Sequence, residues 1–386
     1  MTEVTCARAY PPTPARVAAL DGLRALAIGL VVGYHAQVPG LHGGAIGVDI
    51  FFTLSGFLIT GVLLRPADLS WAELKRFYMR RVLRLFPALI VVVAFCLLYS
   101  LLWLDDGARS FVFTESATSL SYTTDFYLSF VQRPGDPWGL LGHTWTLGVE
   151  EQFYLIWPFA LILIMRRATV RAKLTLVFLA AVADSVWRAG LNISGQHAYI
   201  GSAFDTHLDV LLVGCALALA LPDVVDRLEQ RHQRSMTCGA LASICLIAMI
   251  SAVPPHLRVF PLDTGYLVVA IATAAIIVRL IVPCSTRVAR SYVAVFSFSP
   301  VVWIGAISYG IYLWHVVVFD IFKRAFDIDT QQRRVVFAPL LLLATIAVAA
   351  LSYYVVEKPF LRLKDERFRA RFGGIRRGGP APSRRA

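Results

Sequence analysis

Three ionisable residues, Asp21, Arg24 and His35, sit inside one apolar run, LDGLRALAIGLVVGYHA, near the start of this chain. An ionisable group inside a membrane span costs on the order of 2.5 to 3.5 kcal/mol on insertion scales, so it ordinarily faces a cavity, a partner or a reacting centre. Arg24 and His35 are eleven positions apart, which on an α-helix is three turns plus ~20° and a rise of ~16 Å. Both side chains therefore point the same way, the guanidinium low and the imidazole high. The plainer reading of the lower pair is an i, i+3 ion pair between Asp21 and Arg24, or an arginine reaching back to the interface. Other apolar runs place Asp49, His143, Glu150, Asp209 and His315 at a similar outer height. That is how an acid/base site is assembled from distant segments. The opposite face collects Arg24, Arg80, Arg81 and Arg84, guanidinium groups suited to an acidic, phosphorylated cosubstrate.

The elements that must position these groups follow from composition. With 57% hydrophobic residues, 16% charged residues and a mean hydropathy of +0.65 over 386 residues, the chain reads as an all-α, polytopic membrane bundle rather than a soluble core. About ten spans are expected, at about 17–38, 45–64, 85–104, 147–165, 174–191, 208–221, 237–253, 265–282, 300–322 and 335–356. The net charge of +12 is no nucleic-acid footprint, because the basic residues cluster in the loops after every second span and in the C-terminal tail. That bias places both termini in the cytoplasm, with Lys323, Arg324, Arg333 and Arg334 against the rule. Six cysteines without a CxxC pair point to neither a disulfide framework nor a zinc site. The first apolar run lacks a small-residue cleavage site and reads as a retained helix. Residues 1–16 form a short cytoplasmic segment, 17–363 the membrane domain, and 364–386 a basic, disordered tail.

Six segments in order, DGLRALAIGLVVGYHA, GGAIGVDIFFTLSGFLI, FYMRRVLRLFPALI, HTWTLGVEEQFYLIWP, ISYGIYLWHVVV and VEKPFLRL, resemble the acyltransferase-three family of integral membrane O-acyltransferases. The resemblance covers about residues 20–363. It implies a helical membrane domain that takes an acyl group, commonly acetyl, from acyl-CoA on the cytoplasmic side and places it on a hydroxyl of a carbohydrate or similar acceptor. Arg24 and His35 match the family's essential arginine-to-histidine spacing, and Arg80, Arg81 and Arg84 match its basic motif. Where the family commonly carries Thr-Arg-x-Asp before span six, this chain reads Thr206, His207, Leu208, Asp209. A histidine keeps hydrogen bonding there but has neither the permanent charge nor the bidentate fork. After the tenth span only the basic tail is expected, as in short members of the family, rather than the esterase-like domain that longer members append. Short members include enzymes that acylate macrolide sugars in actinomycetes and surface-polysaccharide acetylases.

The expected mechanism has His35 as general base for the acceptor hydroxyl, its ordinary pKa of ~6.5 suiting the task. Glu150 or Asp49 orients and supports the ring, and Arg24, Arg80, Arg81 and Arg84 hold the CoA phosphates. His143, Asp209, Ser308, Tyr312 and His315 face the acceptor, a carbohydrate or macrolide. An acyl-histidine intermediate is a further option. Ser308, Tyr312 and His315 could equally form a packed polar seam, and Ser55 an interhelix hydrogen bond. No metal is expected: His207 with Asp205 and Asp209 gives too few converging ligands. The setting expected is the bacterial cytoplasmic membrane with its lipids. The rival class is a transporter or flippase of a lipid-linked glycan, against which stands the lack of a visible internal repeat or of paired broken helices.

Overall fold

The computed structural model describes residues 18–65, 69–132, 139–167, 169–253, 262–283, 285–326, 328 and 331–362. The N-terminal segment, the basic tail, Cys6 and Cys284 lie outside them. Among the described residues the secondary structure is helical, in thirteen helices of eight residues or more. These are α1 (Ala18–His35), α2 (Gly47–Leu63), α3 (Trp71–Trp103), α4 (Asp106–Leu120), α5 (Trp145–Met165), α6 (Val170–Ile193) and α7 (Leu208–Arg231). There follow α8 (Gln233–Ala252), α9 (Leu262–Ile281), α10 (Arg287–Phe296), α11 (Ser299–Ala306), α12 (Ser308–Phe326) and α13 (Gln331–Ser352). Among the described residues seven helices are long and apolar enough to cross a membrane, α10 and α11 together supply an eighth candidate, and Leu208–Pro222 and Tyr266–Ile281 are shorter apolar helices.

Two expected elements differ. The third span begins not near Leu85 but at Trp71, so the basic stretch expected as a loop is the first half of a 33-residue helix. Its start is a capping pattern: Ser70 accepts a hydrogen bond from the Glu73 amide, the S-x-x-E arrangement that satisfies a free first-turn donor. The helical pitch then lines Glu73, Arg76, Arg80, Arg81 and Arg84 along one side. The ninth span is broken at Ile307 into α11 and α12, and α11 bends 45° from α10. The break sits where α1 presses in: a Cβ on Gly305 would stand 1.7 Å from the Asp21 carbonyl oxygen, and one on Gly22 1.9 Å from that of Phe296.

The centre of the bundle is the crossing of α2 and α7. A Cβ on Gly56 would lie 2.0 Å from the Leu211 carbonyl oxygen, and one on Gly214 2.0 Å from that of Thr53. Without hydrophobic drive between helices in lipid, such small-residue contacts let backbones close to packing distance. On another face, Trp157 of α5 donates its indole N–H to Thr60 Oγ1 at 2.8 Å, and Thr60 donates to the Gly56 carbonyl at 2.8 Å. The rotation of α2 about its axis is therefore fixed from two sides.

Candidate functional site

A cavity of about 450 Å³ opens between α1, α2, α3, α5 and α12. Along α2 its wall runs from Val48 through Ser55 to Leu63, ~22 Å at 1.5 Å per residue. One end is basic, lined by Arg65, Arg76, Arg80, Arg81 and Arg84. Arg24 joins the same cavity from α1, and Thr146, Glu150, Ser308 and Tyr312 line it as well. The expected arginines thus share one space, and the structure adds Arg65 and Arg76, which the sequence reading left as loop charges.

These guanidinium groups are differently engaged. Arg24 pairs with Asp21 at 3.0 Å, as the plain i, i+3 reading has it. Arg81 is committed: Nη2 and Nε reach Glu151 Oε1 at 2.7 and 3.2 Å, and the guanidinium carbon stands 3.4 Å from the centre of the Tyr154 ring. A stacked and paired arginine positions its neighbours more than it captures a new anion. Arg76 pairs with Glu73 at 2.7 Å, both half-exposed.

Glu150 is in the cavity, but it does not serve His35. Its Oε1 accepts a 2.5 Å hydrogen bond from Ser55 Oγ, a contact between α5 and α2. Asp49 is buried away from this wall, within electrostatic reach of Arg188 and Asp209. The expected carboxylate support for His35 is therefore replaced. His35 Nδ1 lies 2.9 Å from the Val31 carbonyl oxygen, and its ring packs on Tyr34 and His315. A carbonyl only accepts, so Nδ1 carries the proton and Nε2 keeps its lone pair.

His35 is exposed at the end of α1 and is absent from the cavity wall. From it a row of rings runs inward, with centroids 4.9 Å apart for His35 and His315, 5.0 Å for His315 and His143, and 5.3 Å for His143 and Tyr312. His315, fully buried, has Nδ1 2.6 Å from the Tyr312 carbonyl, which likewise leaves the lone pair on Nε2. The Tyr312 hydroxyl donates to the His143 carbonyl at 2.6 Å and shares a 2.6 Å hydrogen bond with Thr146. Tyr312 and Thr146 also face the cavity and bound its inner end, and among the described residues His35 is not part of its wall. His143, His315 and Tyr312 are brought together; Ser308 faces the cavity, and Asp209 lies in another cluster.

That other cluster answers the departure at His207. Arg188 of α6, 1% exposed, forms a bidentate pair with Asp209 at 2.8 and 2.6 Å and bonds the Thr206 carbonyl at 2.6 Å. Asp184 approaches Arg188 at 3.7 Å and accepts from the Asp209 amide at 3.0 Å. The guanidinium missing from position 207 thus arrives from a neighbouring helix. His207 is packed among the rings of Phe52, Trp145 and Tyr266. The signal for Arg188 was present in the sequence: an Asp and an Arg at i, i+4 inside an apolar run.

The segment before α5 is held by Glu115 of α4, whose two oxygens accept from the amides of Gly139 and Leu141 at 3.0 and 2.8 Å. A Cβ on Gly139 would stand 2.3 Å from Glu115 Oε2, so the clasp needs glycine there. Burial pushes the Glu115 carboxyl up to about 7 despite both amides. Ser119 and Thr144 share a 2.7 Å hydrogen bond one turn on, next to His143.

Residues 17–354 match the family described as "Acyltransferase domain". Peptidoglycan O-acetyltransferase OatA of Listeria monocytogenes is 33% identical over 356 residues, covering 89% of this chain and 55% of that protein. YrhL of Bacillus subtilis, named as a candidate peptidoglycan O-acetyltransferase, is 33% identical over 357 residues, or 88% of this chain and 54% of its own length. A protein of Staphylococcus aureus strain COL, named as a candidate O-acetyltransferase, is 31% identical over 360 residues, or 88% and 56%. The chain spans about half the length of these curated relatives. No solved structure matches it at a significant level.

Proposed function

Since the chain belongs to the acyltransferase family whose motifs it carries, we propose that it is a membrane O-acyltransferase that moves an acetyl group from acyl-CoA to a hydroxyl of a cell-wall or surface glycan. The observation that carries this reading is the cavity, in which several arginines at one end lead along α2 to Ser55, Glu150 and Tyr312. A cosubstrate with several phosphates and a flexible thioester arm fits that polarity: Arg65, Arg80 and Arg84 face the phosphates, while Arg81 is held by Glu151. The glycan acceptor is supported by the names of the relatives from Listeria monocytogenes and Bacillus subtilis. The bias of the loop charges supports a cytoplasmic basic end. His35 then lies on the far side of a bacterial cytoplasmic membrane, its Nε2 lone pair able to take the acceptor proton.

The test uses purified full-length protein in liposomes with radiolabelled acetyl-CoA and a panel of peptidoglycan fragments and surface glycans. Expected are acetyl-CoA consumption that depends on the glycan, label in the glycan, and loss of both in His35→Ala. A folded His35→Ala variant at the wild-type rate removes His35 as the base. Glycan movement across the bilayer without acyl transfer returns the transporter reading.

A further inference from the structure

We infer that Ser55 is an acyl-accepting nucleophile, activated by Glu150, so that the acyl group rests on the protein between donor and acceptor. The inference deepens the acyl-transfer reading above and depends on it. Three observations carry it. Ser55 Oγ donates to Glu150 Oε1 at 2.5 Å across two helices, the nucleophile-to-base contact that acyl transfer through a hydroxyl requires. Both residues are only partly buried and line the cavity, whereas a hydrogen bond serving helix packing alone needs no access to open space. The cavity stops at Tyr312 and Thr146, short of the exposed His35. A thioester in the cavity and a hydroxyl arriving at His35 therefore do not meet in one open space. An acyl group held on Ser55 lets the thiol leave the cavity before the acceptor hydroxyl enters it, so the two large substrates need not occupy it together.

The surroundings suit the step. Ser55 is fixed by the setting of α2, with Gly56 against the Leu211 carbonyl on one side and Thr60 bonded to Trp157 on another. Arg24 lines the same cavity and acts electrostatically on Glu150, as does Arg81, so positive charge is near where an oxyanion forms. In the first half, the Glu150 carboxylate takes the Ser55 proton and Oγ bonds to the thioester carbonyl carbon. The tetrahedral anion collapses, the carbon–sulfur bond breaks, and the proton on Glu150 passes to the departing thiolate, giving free thiol and an acyl ester on Ser55. In the second half, an acceptor hydroxyl attacks that ester carbonyl. The carbon–Oγ bond breaks, and the hydroxyl's proton ends on Ser55 Oγ.

The experiment mixes full-length protein in detergent with radiolabelled acetyl-CoA and no acceptor, quenches in acid, and measures free thiol and protein-bound label. Expected is a thiol burst of about one per protein, with one acetyl mass on the peptide that contains Ser55. Ser55→Ala loses the burst and lowers transfer by at least about 10³-fold. Ser55→Cys, the second variant in case the first fails to fold, retains label as a thioester that neutral hydroxylamine removes, whereas label on the wild-type ester survives it. Wild-type protein that acetylates an acceptor without burst or label overturns the acyl-serine and leaves the acyl-transfer reading standing. Label on His35 or Tyr312, or a folded Ser55→Ala at the wild-type rate, does the same. Wild-type protein that turns over no acetyl-CoA with any acceptor overturns both.

Discussion

Removing the Arg188 guanidinium should destabilise the bundle more than any other single charge deletion among the described residues. Arg188→Met keeps the length of the side chain and much of its apolar contact, but deletes three hydrogen bonds at 2.6 to 2.8 Å, two to Asp209 and one to the Thr206 carbonyl. Asp209 keeps Ser185 Oγ at 2.8 Å and the Val210 amide at 2.8 Å. Yet Asp209, at 2.6 Å from Arg188, and Asp184, at 3.7 Å from it, both lose that cation. Breaking a buried pair costs roughly 3 to 5 kcal/mol, because the partner is left charged and unpaired. Two stranded carboxylates put this case at the upper end. In detergent, with folded protein followed by size-exclusion after heating, the apparent Tm should fall by on the order of 5 °C. The same physics predicts that the penalty belongs to the orphaned carboxylates rather than to the lost bond. Arg188→Met combined with Asp184→Leu and Asp209→Leu should therefore recover most of the loss, since replacing a buried ion pair by apolar residues is often neutral. Arg188→Met at the wild-type Tm, or a triple variant no better than the single one, would refute the reasoning.

Stability of the segment clasped by Glu115 should fall as pH rises. The folded carboxyl titrates at about 7 against an ordinary 4.5, so the folded state binds the extra proton; its contribution is complete below about 4.5 and is lost through 7. The difference of 2.5 corresponds to at most about 3 kcal/mol between pH 4.5 and 8, and hydrogen exchange at the Leu141 amide should show it, with Glu115→Gln flattening the slope. Gly214→Ala should cost about 3 kcal/mol, because the new Cβ meets the Thr53 carbonyl oxygen at 2.0 Å and the Phe57 amide nitrogen at 2.7 Å, neither of which can swing away; an unchanged Tm would show that α2 and α7 can separate. Arg84→Ala and Arg80→Ala should raise KM for acetyl-CoA by about tenfold each, with smaller effects on kcat, as expected for contacts made equally to ground and transition states. Arg81→Ala should instead lower kcat, since it removes the partner of Glu151 and a charge acting on Glu150.

The all-α membrane character was legible because hydrophobic run length is a one-dimensional property, and positions of most spans follow from it. Arg24 and the Arg80, Arg81, Arg84 group were set at one membrane face by where they fall relative to the apolar runs, and they do share a cavity. What periodicity could not supply was which helix faces which. Glu150 and His35 were set at the same height, but height does not fix azimuth, and Glu150 points to Ser55. Asp49 was assigned to the same imidazole, and it lies instead near the Arg188 cluster. The basic half of α3 was missed because charged residues masked a helix whose start, Ser70 to Glu73, carries a readable cap. Arg188 was passed over inside a run treated as a plain span.

The closed inner end of the cavity is the point at which a one-dimensional picture and the packed bundle part. On a single helix, Arg24 and His35 share a direction, and nothing in their spacing forbids an open channel between them. In the bundle, the start of α5 meets the first turns of α12 directly, and the Tyr312 hydroxyl is satisfied by the His143 carbonyl and Thr146. Opening that layer would strand a buried hydroxyl and carbonyl, at roughly 1 to 3 kcal/mol for each unsatisfied group. A barrier of that size is small enough to open transiently for an acyl group and large enough to keep the layer shut at rest. If acyl transfer runs across it, the layer separates the phosphate-bearing cosubstrate from the medium that reaches His35. Tyr312→Phe, which deletes the hydroxyl and both of its hydrogen bonds, should then raise acceptor-independent hydrolysis of acetyl-CoA, because water gains access to the cavity. An unchanged hydrolysis rate in a folded Tyr312→Phe would mean that the seal lies elsewhere.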